Sequence, residues 1–353
     1  METIALLAPT GRAAKKMNSS TGIPAYTIHR YLKWYKDSNE FVYNEFNKTH
    51  HKLIIVDEVS MIDVDLFNAL LNGINSNIKL ILVGDTFQLP SVGPGLVLNE
   101  LIESDYFNYI PLNQIYRQSD NSYIPFLAKE IKNNDLSEEF LTKKDDYNFV
   151  NVDSSNIKKA IMQITNYSLS KGLDERNVQV LAPMYKGDAG IDALNVILQN
   201  IYNPSKRNKE EVIYGDFIYR EDDKVLQLVN DLDNNVFNGD IGFIERITGN
   251  KIIIDFDGNK VEYEKKDLKN IKHAYAISIH KSQGSEFMHV IMPISTSYYK
   301  MLYNKLIYTG VSRAKKSLTL VGDPTAFQRA VNNNYSSSRK TSLKEQISMV
   351  YNK

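Results

Sequence analysis

No cysteine occurs among the 353 residues, which excludes disulfides and thiolate metal sites and suits a reducing cytoplasm. No run approaches the roughly 20 apolar residues needed to cross a bilayer. Met1-Glu2 opens no basic and apolar leader, so the expectation is a cytoplasmic protein with no membrane partner. Net charge is lacking too: 42 Lys and Arg balance 42 Asp and Glu, which argues against a protein that coats nucleic acid indiscriminately. Arginine is scarce, 10 against 32 Lys, and a Gly-Lys pair occurs nowhere. No self-similarity at the roughly 20- to 50-residue periods of repeat proteins is apparent.

What is present is ordinary in bulk and uneven in detail. With 42% hydrophobic and 24% charged residues the chain has a globular composition, and its length allows two substantial cores. Positive charge gathers at both ends: six basic residues against one acidic from Met1 to Lys36, and eight against two from Arg313 to Lys353. Such clusters serve either as a solvated face or as an electrostatic footprint for a nucleic-acid strand.

Two apolar runs end abruptly in polar groups. Leu53-Ile54-Ile55-Val56 leads into Asp57-Glu58, and Leu80-Ile81-Leu82-Val83 into Gly84-Asp85-Thr86-Phe87-Gln88. The runs are too short for helices and too apolar for solvated strands, so they predict buried parallel strands with these polar groups at their C-terminal tips. In open α/β sheets ligands bind at those tips. The layout suits nucleotide hydrolysis. Asp57 can hold Mg²⁺, usually through water, Glu58 can orient or deprotonate the attacking water, and Gln88 can sense the γ-phosphate of ATP. A lone Asp-Glu pair is more often a solvated strand end; the second strand end reverses that balance and favours chemistry.

On these residues the chain resembles RecD-like superfamily 1 DNA helicases. Asp57-Glu58-Val59-Ser60-Met61 is similar to helicase motif II and Gly84-Asp85-Thr86-Phe87-Gln88-Leu89-Pro90 to motif III. Ala8-Pro9-Thr10-Gly11-Arg12-Ala13-Ala14-Lys15 resembles motif Ia, Thr27-Ile28-His29-Arg30 the segment after it, and Gln114-Ile115-Tyr116-Arg117-Gln118 motif IV. Ser278-Ile279-His280-Lys281-Ser282-Gln283-Gly284-Ser285-Glu286-Phe287 resembles motif V, and Tyr308-Thr309-Gly310-Val311-Ser312-Arg313-Ala314-Lys315 motif VI. The blocks run in the family's order through nearly the whole chain.

The resemblance implies an α/β protein of two RecA-like lobes of the P-loop NTPase type. The first lobe would span residues 1–120, with a short hairpin insert at 31–51, and a helical connection would follow at 121–175. The second would span 176–353, with a small β-barrel insert at 237–270. The hairpin is either a duplex-splitting pin or a plain surface hairpin, and the barrel either a strand clamp or a structural insert. Turn signals at Thr248-Gly249-Asn250 and Asp257-Gly258-Asn259 support the short strands of the second insert. The Asn and Ser runs between Val331 and Lys340 have the composition of a flexible segment.

By the same resemblance ATP and Mg²⁺ would be bound by Asp57, Glu58 and Gln88 from one side and by Gln283, Gly284, Glu286 and Arg313 from the other. Glu58 and Gln88 would act in hydrolysis with Arg117 and Arg313 as arginine fingers, since a planar guanidinium can hold two phosphate oxygens at once. Single-stranded DNA and duplex junctions would be the partners, with Thr10, Gly11, Arg12, His29, Arg30, Tyr185 and His280 as contacts and Trp34 as a further stacking ring. The implied activity is ATP-driven 5′ to 3′ movement and unwinding, in the setting of DNA repair and recombination.

The family's phosphate-cradling Gly-x-x-x-x-Gly-Lys-Thr loop is missing from these residues. The expectation is therefore a chain inactive alone, whose loop comes from an upstream segment or another chain. The alternatives are a non-hydrolysing DNA-binding or regulatory module and a superfamily 1 RNA helicase.

Overall fold

Short runs of branched apolar residues build a parallel sheet at the start of the chain. The computed structural model describes residues 3–35, 38, 40–112, 122–207, 209–299, 301–334 and 339–352. It divides into a first unit of residues 1–114 with 336–353 and a second of 115–335. In the first unit β1 (Ile4–Ala8), α1 (Gly11–Thr21), β2 (Ala25–Thr27), α2 (Ile28–Tyr31) and the paired strands β3 (Trp34–Tyr35) and β4 (Glu40–Phe41) come first. They are followed by β5 (Leu53–Val56), α3 (Val64–Gly73), β6 (Lys79–Leu82) and α4 (Val97–Glu103).

The sheet order is β2-β1-β5-β6 with every pairing parallel. Leu7, Ile54 and Val56 are fully buried against Leu70 of α3, as expected of a parallel sheet whose face is covered by helix. Thr10 caps α1 by accepting from the Ala13 amide (3.2 Å), and Asp63 caps α3 by accepting from the Leu66 amide (2.8 Å). Each cap satisfies an amide that the first helical turn leaves without an intrahelical partner.

The second unit runs α5 (Tyr123–Asn133), β7 (Tyr147–Asn151), α6 (Ile157–Ser170), β8 (Val178–Ala182), α7 (Ile191–Tyr202), β9 (Glu211–Tyr214), β10 (Phe217–Arg220) and β11 (Lys224–Gln227). Then follow β12 (Ile241–Thr248), β13 (Lys251–Phe256), β14 (Asn259–Glu264), β15 (Ile271–His273), β16 (Ala276–Ser278), β17 (Phe287–Ile294), α8 (Asn304–Val311), β18 (Ala314–Gly322) and α9 (Pro324–Val331). Its parallel sheet has the order β16-β8-β17-β18-β7. Residues 121–175 are thus more than a helical connection, because β7 is an edge strand of this sheet.

The insert extends beyond the expected bounds of 237–270. Its strands form one antiparallel sheet, β14-β13-β12-β11-β15, which draws in Lys224–Gln227 and Ile271–His273 from outside those bounds. The β9–β10 hairpin adds Val212 and Tyr219 to the same apolar core.

A buried carboxylate joins this insert to α7. Asp223 is wholly inaccessible to solvent and accepts from the Arg220 amide (2.7 Å), Gln199 Nε2 (2.7 Å), Asn203 Nδ2 (2.8 Å) and the Tyr275 hydroxyl (2.9 Å). His273 Nε2 lies 3.2 Å from it. Asp223→Ala would leave several buried donors without an acceptor, so it is expected to cost about 3 to 5 kcal/mol of unfolding free energy. Urea titration measures this, and a loss below about 1 kcal/mol at unchanged slope would show that these donors find other partners.

The chain then returns to the first unit. Helix α10 (Leu343–Tyr351) packs on α4, and the Tyr351 ring stacks on Tyr106 with centroids 4.7 Å apart. The Tyr106 hydroxyl donates to Asn352 Oδ1 (3.0 Å). Residues 336–353, which the sequence assigns to the second lobe, therefore cluster with the first unit. Of the segment expected to be flexible, Val331 is buried, residues 335–338 lie outside the described residues, and Arg339 is anchored by its side chain. Among the described residues no helix is long and apolar enough to cross a membrane.

Candidate nucleotide and nucleic-acid sites

The tips of β5 and β6 meet in the first unit. The Asp57 amide continues the sheet by donating to Leu7 O (2.9 Å), and the Val59 amide crosses to Val83 O (3.0 Å). Gly84 allows this approach, because a Cβ there would lie 3.1 Å from the amide nitrogens of both Val59 and Ser60. Between them Glu58 adopts left-handed backbone angles, φ 54° and ψ 40°, a conformation that costs a non-glycine residue roughly 1 to 3 kcal/mol. Its amide donates to Asp57 Oδ1 (2.8 Å), so the turn is fixed by the neighbouring carboxylate.

Gln88 lies in the turn that follows β6, where its backbone amide donates to Asp85 O (3.2 Å). Asp85 Oδ1 accepts from the Phe87 amide (3.0 Å), and its Oδ2 lies 3.5 Å from Gln88 Nε2. Gln88 Oε1 is buried with no hydrogen-bond partner. A buried acceptor left unpaired is uncommon and calls for a donor. A carboxylate pair and an open amide oxygen on adjacent parallel strand tips can accept from the water shell of a hydrated Mg²⁺, which is usually held by one or two carboxylates plus substrate oxygens. Among the described residues no three His, Asp or Glu side chains converge into a protein-only metal cage.

The second unit gathers the motif V and VI residues. Arg313 is buried and donates from Nε to Thr309 O (3.1 Å), from Nη1 to Ser285 O (3.1 Å) and from Nη2 to Ser312 Oγ (3.0 Å). Glu286 pairs with Lys315 at 2.9 Å, Gln283 is buried, and Gly284 sits at φ 71°. Gln283, Gly284, Glu286 and Arg313 are thus brought together. Arg117 and the rest of Gln114–Gln118 lie outside the described residues.

The expected strand contacts have mixed placements. The Thr10 hydroxyl serves as a helix cap and Gly11 is buried at the start of α1. Arg12 follows on the same helix. His29 packs against the rings of Trp34 and Phe41, with centroids 6.2 and 5.8 Å away. Trp34 in turn lies 4.6 Å from Phe41, so one face of the indole belongs to the hairpin and is not available for stacking. The Arg30 guanidinium lies over the Tyr26 ring.

In the second unit Tyr185 is 40% exposed with Lys272 Nζ 5.2 Å from its ring centroid. A flat ring beside a cation is the pairing that sequence-tolerant strand binding uses. Lys272 lies in no motif, and nothing in its local sequence announces it. Burial pushes the His280 imidazole below its ordinary value, so at neutral pH it offers a hydrogen bond and not a charge. Lys281 is likewise pushed down by burial and donates to Asn238 of the insert.

Three family models match the chain: an AAA domain at residues 2–154, an ATP-dependent RecD-like DNA helicase SH3 domain at 194–256 and a UvrD-like helicase C-terminal domain at 273–321. The ATP-dependent RecD2 DNA helicase of Deinococcus radiodurans is 33% identical over 344 residues, covering 98% of this chain and 46% of that protein. The RecBCD enzyme subunit RecD of Buchnera aphidicola is 28% identical over 399 residues, covering 93% of this chain and 66% of that protein. The chain thus spans less than two thirds of these curated relatives. A crystal structure of Pif1 helicase from Bacteroides, in complex with ADP-AlF3 and ssDNA, superposes with a TM-score of 0.51 at 17% identity, covering 100% of this chain and 88% of that one.

Proposed function

We propose that the chain, similar to ATP-dependent RecD2 and RecD proteins, is a RecD-like superfamily 1 DNA helicase chain that takes part in ATP-dependent movement along single-stranded DNA and duplex unwinding. The observation that carries this reading is the strand-tip turn of Asp57 and Glu58 beside the unpartnered Gln88 Oε1. Asp57 would hold Mg²⁺, which neutralises phosphate charge when bound with ATP. Glu58, fixed in its left-handed turn, would take a proton from the attacking water. Gln88, with its Nε2 turned to Asp85, presents an acceptor, which suits a water hydrogen; contact with a phosphate oxygen would require the amide to turn and release Asp85. Within the second unit Gln283, Gly284, Glu286 and Arg313 would serve nucleotide binding, and Arg117 would supply further positive charge.

These residues contain no Gly-Lys pair, so the amides and lysine that cradle the phosphates would come from residues outside the 353. Without that loop a second reading is open, a DNA-binding module that does not hydrolyse ATP. Both readings require strand binding through Tyr185 with Lys272 and the basic segments, and the family's direction of movement would be 5′ to 3′.

Strand binding is expected to weaken with salt, with a log-log slope of about −0.7 for each phosphate neutralised on a single strand. Titration of a fluorescent oligonucleotide at two salt concentrations checks it, with an RNA strand of the same sequence as the comparison. Absence of binding at both concentrations would remove both readings, and a clear preference for RNA would favour an RNA helicase.

A further inference from the structure

The loop after Gln88 is held from two sides. On one side the Val64 amide donates to Pro94 O (3.0 Å), and Gly93 lies so close to α3 that a Cβ there would be 2.1 Å from Asp63 Oδ2. On the other side stands Arg339, 244 to 248 residues away in sequence from the atoms it touches. Its Nη1 donates to Gly93 O (2.7 Å) and Gly95 O (3.1 Å), with Ser91 Oγ at 3.4 Å, and its Nη2 donates to Ser91 O (2.5 Å).

A rigid planar fork spreads its donors over two terminal nitrogens to reach three carbonyls, whereas a lysine would have to direct its three N–H groups from a single atom. Charge-assisted hydrogen bonds of this kind are roughly twice as strong as neutral ones. Ser91 is itself buried, three residues after Gln88 and next to Pro90. The segment just after Gln88 is therefore tied to a side chain from the far end of the sequence.

We propose that Arg339 is a positioning residue for Gln88: it fixes the loop from Ser91 to Gly95 and makes the C-terminal segment a working part of the first unit's nucleotide-responsive turn. This rests on the reading of Gln88 as part of a nucleotide site. The clamp itself does not, and the two are separable by experiment.

Amide hydrogen exchange on the 353-residue protein tests the clamp in Arg339→Ala and Arg339→Lys. In Arg339→Ala, amides of residues 88–95 should exchange about tenfold faster, with Arg339→Lys intermediate. Exchange in β1 and β5 should stay within about twofold of the parent, which separates local release from general destabilisation. Unchanged exchange at 88–95, or an equal rise throughout the first unit, would overturn the proposal. The same variants joined to a phosphate loop test positioning: kcat for DNA-stimulated ATP hydrolysis should fall about tenfold with KM for ATP within about twofold, as for an interaction that matters in the transition state. An unaltered kcat despite faster loop exchange would overturn the positioning role. A parent that stays inactive with the loop supplied would instead sink the nucleotide-site reading, and the positioning role with it, while the exchange result still decides the clamp.

Discussion

Purified as these 353 residues, the protein is expected to hydrolyse ATP negligibly, with or without DNA. Phosphoryl transfer is catalysed mostly by positioning and electrostatics, and Asp57, Glu58 and Gln88 can stabilise the reacting group only if something holds the triphosphate in line. The sequence supplies no Gly-Lys pair to do so. Its first sheet ends at β6, which pairs on one side only among the described residues. Ile81 and Val83 beside that edge are 37% and 40% exposed. An apolar, unpaired edge strand tends to recruit another strand, so the isolated protein should also self-associate as concentration rises. Phosphate release and light scattering measure the two effects. Turnover at an ordinary enzyme rate, on the order of 1 to 10³ per second, would show that the phosphate loop is dispensable and that the proposed division of the site is wrong.

With a phosphate loop supplied, Glu58→Gln is expected to lower DNA-stimulated ATP hydrolysis by about 10² to 10⁴, the usual contribution of a general base, while ATP binding is retained. Glutamine keeps the shape of the side chain and the same cost of left-handed backbone angles, so the turn between β5 and the Val59–Met61 helical turn should persist. Equilibrium binding of a fluorescent ATP analogue alongside single-turnover hydrolysis separates the two effects. Hydrolysis within a few-fold of the parent would assign proton removal to another group.

Much of the fold was legible because its signals are local. Ile4–Ala8, Leu53–Val56, Val178–Ala182 and Lys251–Phe256 are strands with the bounds their apolar runs predict, since the length of a buried run decides both its type and its ends. The pairing of strands distant in sequence was not legible. β11 resembles a strand of the central sheet and joins the insert instead, through partners Ile241–Phe243 and Ile271–His273. β7 lies between two helices and reveals its place only by its register with Leu318–Gly322.

The site shows the same division. The carboxylates of motif II and the amide of motif III were readable from strand ends, whereas the cap made by the Thr10 hydroxyl and the packing of Trp34 depend on neighbours. Arg339 stands outside every motif, and its one sequence signal is that it is one of ten arginines in a chain whose default cation is lysine.

The return of the C-terminal segment sets an order of assembly during synthesis. The second unit is continuous from residue 115 to 335, whereas the first also takes in 336–353. At the usual elongation rates of about 5 to 20 residues per second, α10 leaves the ribosome roughly 12 to 50 seconds after α4. Throughout that interval the carbonyls of Ser91, Gly93 and Gly95 and the face of α4 under α10 remain uncovered. The nascent chain would therefore finish its later unit before its earlier one, with the turn after Gln88 among the last parts to be locked in place.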